Sequence, residues 1–237
     1  MTSVPEPPWL RRKKPAAPAK RALTRDAIVD AAMRIVDAEG VDALSMRRVA
    51  QALDTGAASL YAHVENKEEL LSLLLDRAQE GMTVPAPDPG RWQEQIKEVV
   101  RDGRRRLAAH RDLARAAGEV PLGPNQMIIA EGMLGILRAA GLPPQVCAYG
   151  VDALALYLVA IVVDDAARDL RIDAVTDEER KAARVEFTGR IRDYFHSLPE
   201  ADFPNTRALA GELTRDVGDE RFEFGLDLLV TGLERHA

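Results

Sequence analysis

The stretch that decides the fold runs from Leu23 to Leu75. It reads LTRDAIVDAAMRIVDAEG over Leu23–Gly40 and VDALSMRRVAQALDTGAASLYAHVENKEELLSLLL over Val41–Leu75. Thr24 is a good N-cap, and Ala27, Ile28, Ala31, Ala32, Ile35 and Val36 fall on one helical face. Gly40 marks the stop. Ser45 caps a second short helix that turns Val49, Ala50 and Leu53 inward and Arg47 and Arg48 outward. A tight turn at Asp54, Thr55 and Gly56 leads to a third helix. That helix offers Leu60 and Val64 to a core and leaves Ala57, Ala58, Ser59, Tyr61, Ala62 and His63 outside. Asn66 caps a fourth helix, with Glu69 at the capping-box spacing and Leu70, Leu71, Leu74 and Leu75 as its apolar stripe. Two short helices joined by a turn of three or four residues make the helix-turn-helix unit, whose second helix enters the DNA major groove.

The Ala-rich first helix ending in AEG, the run LSMRRVAQAL and the run SLYAHVENKEELL together resemble the DNA-binding domain of the TetR family of bacterial transcriptional repressors. Leu60–Lys67 is the most specific piece. The resemblance implies that Tyr61 and His63 touch phosphates or sugar edges and that Lys67 holds a further phosphate at a helix start. It also implies that Arg47 reaches a base or phosphate and that Ala57, Ala58 and Ser59 face the groove floor. Two positions depart from the pattern. Asp54 stands where the turn usually has Gly, and Asp tolerates the left-handed conformation less well than Gly but better than most residues. The groove-facing residues are small and uncharged, so base readout is sparse and Arg47 or DNA shape carries more of the specificity.

Charge is divided to match. The chain has 237 residues and a net charge of −6. Residues 1–64 hold ten Lys and Arg against seven acids, a net of +3, which leaves −9 on the rest. The positive end is therefore the one that carries the helix-turn-helix. Residues 1–22 are Pro-rich and then basic and cannot support a packed helix. They read either as an arm that follows the DNA backbone or dips into a minor groove, or as a solvated leader. No apolar secretory core is present, and the single cysteine, Cys147, fits a reducing cytoplasm.

The remainder, 69–237, reads as a larger helical domain following the head at 23–68, so the fold class is all-α. The expected helices are 67–81, 91–110, 112–117, 125–140, 144–168, 180–198, 205–213 and 221–235. The Pro-rich run 83–90 lies between the first two, and an acidic solvated connection lies over 164–179. Arg101, Arg104 and Arg105 read as a solvated charged face. Residues 144–168 approach a membrane span in length. With Asp152 at the centre and no basic flank, they read instead as buried in protein or in a subunit interface.

Family resemblance implies two uses for this body. Two C-terminal helices per subunit, best matched by 144–168 and 221–235, pair about a two-fold axis, giving a homodimer and a palindromic operator. A pocket between the central helices binds a small-molecule effector that releases DNA. Its candidate residues are Trp92, His110, Met127, Met133, Tyr149 and Tyr157. No metal and no cofactor is expected. The tetracycline repressors place a metal-binding His in a Val-His-Leu-Gly run, whereas Val120–Gly123 has Pro121 there. No phosphate loop, nucleophile elbow or CxxC pair is present, so the chain does not read as an enzyme. The competing expectation is a helical DNA-binding regulator without an effector.

Overall fold

The computed structural model describes residues 23–170, 176–215 and 218–236. The basic run 1–22 lies outside the described residues, as does 171–175 of the acidic connection. Every described element is helical: α1 (Arg25–Glu39), α2 (Met46–Ala52), α3 (Ala57–Leu60), α4 (Lys67–Ala78), α5 (Trp92–Ala108), α6 (Pro124–Ala139), α7 (Pro144–Leu170), α8 (Asp177–Ser197), α9 (Pro204–Ala208), α10 (Ala210–Leu213) and α11 (Glu220–Glu234). Short 3-10 turns occur at Val41–Ala43 and Leu113–Ala116.

The head forms where its caps are. Thr24 Oγ1 accepts the Ala27 amide at 3.1 Å, Ser45 Oγ the Arg48 amide at 3.2 Å, and Asn66 Oδ1 the Glu69 amide at 2.7 Å. Each cap satisfies one of the amides that a helix start leaves without a partner. Gly40 ends α1 at φ 90°, a value that suits glycine. Asp54 adopts φ 49°, so the turn between α2 and α3 does use the left-handed conformation.

Two apolar clusters organise the molecule. The first joins α1, α2, α3 and α4 through Ile28, Val36, Val49, Leu60, Val64, Leu70 and Leu74, and it extends to Leu107, Leu113, Ala114, Ala116 and Val162. The second lies between α5, α6, α7 and α11, with Ile96, Val100, Ile136, Leu137, Leu154, Phe222 and Leu226. Helix α4 and the segment after α5 are thus cemented to the DNA-binding head.

Three expectations change. Helix α7 covers the expected 144–168 and runs to Leu170, but Asp164 and Asp165 in it are not a solvated connection: they pair with Arg104 and Arg221. Arg101 and Arg104 are not simply a solvated face. Arg101 pairs with Glu223 of α11 at 2.8 Å. Arg104 reaches Asp165 at 3.0 Å and Asp219 at 2.7 Å, and stacks over Phe222 at 4.5 Å. Helix α8 begins before Arg180 because Thr176 and Glu179 close a reciprocal capping box. Helices α8, α9 and α10 pack on one another, and none of their described residues belongs to either apolar cluster.

Candidate DNA-binding and effector sites

The regular part of the third helix is only four residues long. Ala58 and Ser59 are exposed on it, Ala57 is half-buried, and Leu60 is fully buried. Tyr61 and His63 therefore lie in the turn that follows the helix, not on its cylinder. That turn is closed by the His63 and Val64 amides on Leu60 O, at 2.8 and 2.9 Å. Buried Val64 anchors its far side. Tyr61 is exposed, while His63 and Lys67 are half-buried. Lys67 is the first residue of α4, where the unpaired amides of a helix start add to its charge. Arg47 is exposed on α2, which packs on α3, and makes no ion pair among the described residues. Its neighbour Arg48 is held by Glu39 at 2.6 Å. The seven residues expected at DNA thus occupy α2 and the continuous run from α3 to the start of α4.

Head and body are joined at two polar clasps. Asp112 is buried; its Oδ1 accepts the Val41 amide at 2.8 Å and its Oδ2 pairs with Arg115 at 2.9 Å. Arg115 also reaches Asp42, and Arg111 donates to Ala38 O at 2.8 Å. A Cβ at Gly40 would stand 3.3 Å from Asp112 Oδ1, a tight contact, on a backbone at φ 90° that already favours glycine. The second clasp is on α4. Asp76 accepts the Asn125 amide at 2.7 Å and the Asn125 side chain at 2.9 Å, so an α4 carboxylate caps the N-terminus of α6. Gly123 is required there, since a Cβ would strike Asp76. The next residue, Arg77, turns the other way and holds Asp26 and Asp30 of α1, each at 2.7 Å. Adjacent residues of α4 therefore grip the body and the head. Asp76 and Asp112 carry no local sequence signal, because their partners stand 49 and 71 positions away.

The six residues expected at an effector pocket are distributed over the body. Trp92 and Met133 are buried in the second apolar cluster. Tyr157 packs against that cluster, its ring stacked on Phe222 at 5.9 Å and its hydroxyl donating to Phe222 O at 3.0 Å. Burial raises the Tyr157 pKa. These three come together. His110 is placed at the head, with Nδ1 3.0 Å from Asp37 of α1. Met127 is exposed on α6 and Tyr149 on the outer face of α7. Among the described residues no group of three His, Cys, Asp or Glu is placed to hold a metal ion.

Helix α7 is long and apolar enough by composition to cross a membrane. One side of it packs on α5, α6 and α11. Its other side exposes Tyr149, Asp152 and Leu156, and α11 exposes Phe224 and Leu228 four residues apart. Both helices thus leave a second apolar face open.

A short helix, a tight turn, a second short helix and an exposed basic and hydroxyl-bearing rim on a helical body define a helix-turn-helix DNA-binding protein. Residues 28–74 match the model of bacterial regulatory proteins of the tetR family, and residues 84–237 match the tetracyclin repressor-like C-terminal domain. The chain belongs to the TetR family and is a DNA-binding transcriptional regulator. It is 32% identical to the HTH-type transcriptional repressor DrrR1 of Streptomyces coeruleorubidus, over 95% of this chain and 83% of that one. It is 29% identical to the class G tetracycline repressor protein of Vibrio anguillarum, over 90% and 94%. Among solved structures it resembles the TetR family protein ActR of Streptomyces coelicolor. The crystal structure of ActR with actinorhodin gives 46% identity, coverage of 92% and 98%, and a TM-score of 0.81. The structure of ActR with (S)-DNPA gives 45% identity, coverage of 91% and 98%, and a TM-score of 0.79.

Proposed function

We propose that this chain is a repressor that binds a palindromic operator as a homodimer in the cytoplasm and leaves it when a small molecule enters the helical body. The observation that carries this reading is the pair of residues on α4. Asp76 caps α6 and Arg77 holds α1, so a ligand that shifts α6 pulls on the helix that is cemented to the head. The exposed apolar faces of α7 and α11 supply a pairing surface, and a two-fold axis there sets two recognition segments about one DNA turn apart. Ala57, Ala58 and Ser59 face the groove floor, Arg47 reaches a base or phosphate, and Tyr61, His63 and Lys67 hold the backbone. Trp92, Met133 and Tyr157 stand closest to the effector. Similarity to ActR makes actinorhodin and (S)-DNPA the first ligands to try.

The test is fluorescence anisotropy of a labelled operator duplex bound by the protein, titrated with each compound. Release at a ligand concentration that leaves a Tyr157→Ala complex intact supports the reading. Failure of these two and of a panel of related compounds to release DNA would count against an effector of this class and favour the reading of a regulator without one.

A further inference from the structure

Tyr61, His63 and Lys67 lie on a turn and a helix start, and a turn does not fix side chains as a helix does. Something else must hold residues 61–67. Arg25, the first residue of α1, lies across this segment. Its Nε donates to His63 O at 3.1 Å, and its Nη2 pairs with Glu69 Oε1. The other oxygen of the same carboxylate, Glu69 Oε2, accepts the Glu65 amide at 2.5 Å. The Glu69 amide is in turn held by Asn66 Oδ1 at 2.7 Å. The guanidinium and the carboxylate thus fix the backbone at 63 and 65, and the Asn66 side chain fixes it at 69, so each of Tyr61, His63 and Lys67 is at or within two residues of a fixed atom.

We propose that Arg25 and Glu69 are a positioning pair that sets the phosphate-gripping turn in register for DNA, and that Arg25 does so without touching DNA itself. This rests on the DNA-binding reading of Tyr61, His63 and Lys67. The planar fork of a guanidinium reaches the His63 carbonyl and the Glu69 carboxylate from two nitrogens held in fixed geometry, a preset arrangement that a single flexible ammonium does not reproduce. Only a carboxylate can serve both Arg25 and the Glu65 amide at full strength. Arg25 is exposed and Glu69 half-buried at the surface, outside both apolar clusters, so loss of the pair leaves the fold standing. What is lost is the preset geometry, which must then be imposed at the moment of binding.

The proposal makes predictions opposite to those of simple charge. Glu69 lies two residues from Lys67, near where phosphates would sit. If only the field mattered, Glu69→Gln would remove a repulsion and tighten binding. The clamp requires the reverse: Glu69→Gln, Arg25→Ala and Arg25→Lys each weaken operator binding by about five- to tenfold. The double variant is no weaker than either single one.

The experiment measures anisotropy of operator binding by the full-length protein across a range of KCl concentrations, with a thermal melt of every variant. The expected result is the weakened affinity above with an unchanged slope of log K on log salt. Lys67→Ala, which removes a phosphate contact, lowers that slope by about 0.9. Any of three results overturns the proposal: a slope for Arg25→Ala that falls like that of Lys67→Ala, full affinity in Arg25→Lys, or tighter binding by Glu69→Gln. Amide hydrogen exchange on the same variants needs no DNA and separates the clamp from the DNA reading. Residues 61–67 should exchange about tenfold faster in Arg25→Ala while α1 is unchanged; unchanged exchange at 61–67 overturns the clamp even where no operator is bound.

Discussion

The pairing of subunits through α7 and α11 is open to a quantitative check at Leu228. In the single chain Leu228 is 58% exposed and Phe224 is 67% exposed on α11, beside Tyr149 at 67% and Leu156 at 65% on α7. Full burial of a leucine side chain is worth about 1.5–3 kcal/mol. A little more than half of Leu228 remains to be covered, and a two-fold interface contains the residue twice. Leu228→Ala should therefore cost the dimer about 2–3 kcal/mol, roughly 30- to 150-fold in its dissociation constant. Leu228→Glu should cost more, since it buries two carboxylates without partners. Neither change touches the core of the protomer, so the stability of the isolated chain should move by less than about 0.5 kcal/mol. Sedimentation velocity over a wide concentration range reads the dissociation constant, and circular dichroism confirms that the fold persists. A Leu228→Glu protein that dimerises like the natural one would refute the assignment of this face.

Three further outcomes follow from the same structure. Tyr61→Ala and Lys67→Ala should weaken binding to all duplex sequences alike, with Lys67→Ala losing about 0.9 from the salt slope; anisotropy on operator and unrelated duplexes checks this. Asp112→Ala strands the buried Val41 amide and should destabilise the head–body joint by about 1–3 kcal/mol in urea melts, while Asp112→Asn, which keeps an acceptor, should cost less. Hydrogen bonding to Arg101 holds the Glu223 pKa below its ordinary value of 4.5. The stabilisation from a depressed carboxylate is present above that value and is lost as pH falls below it, so acid should loosen α11 from α5, and Glu223→Gln should flatten that part of the pH–stability curve.

How much of this was legible in the sequence depends on how far apart the partners lie. Thr24, Ser45 and Asn66 were readable as caps because a cap and the amide it holds are three residues apart. Leu60 and Val64 were readable as core because helical spacing places them together. Met127 and Ile128 look equally apolar, yet both are exposed, since residue type does not say which face of a helix finds a neighbour. Phe224 and Leu228 lie off the buried stripe of Phe222, Leu226 and Val230 for the same reason, and their exposure gives the sequence of α11 two apolar sides. His110 gave no sign that it meets Asp37, nor Arg25 that it meets Glu69, because those pairs are made only when α1 packs on distant segments.

Selection of duplexes from a random DNA pool by the purified protein shows whether the chain binds DNA as a two-fold regulator. The expected outcome is an enriched palindrome whose half-sites lie about one helical turn apart, with few strongly specified bases opposite Ala57, Ala58 and Ser59. Enrichment of a single unrepeated site, or of no sequence even at low salt, would contradict it.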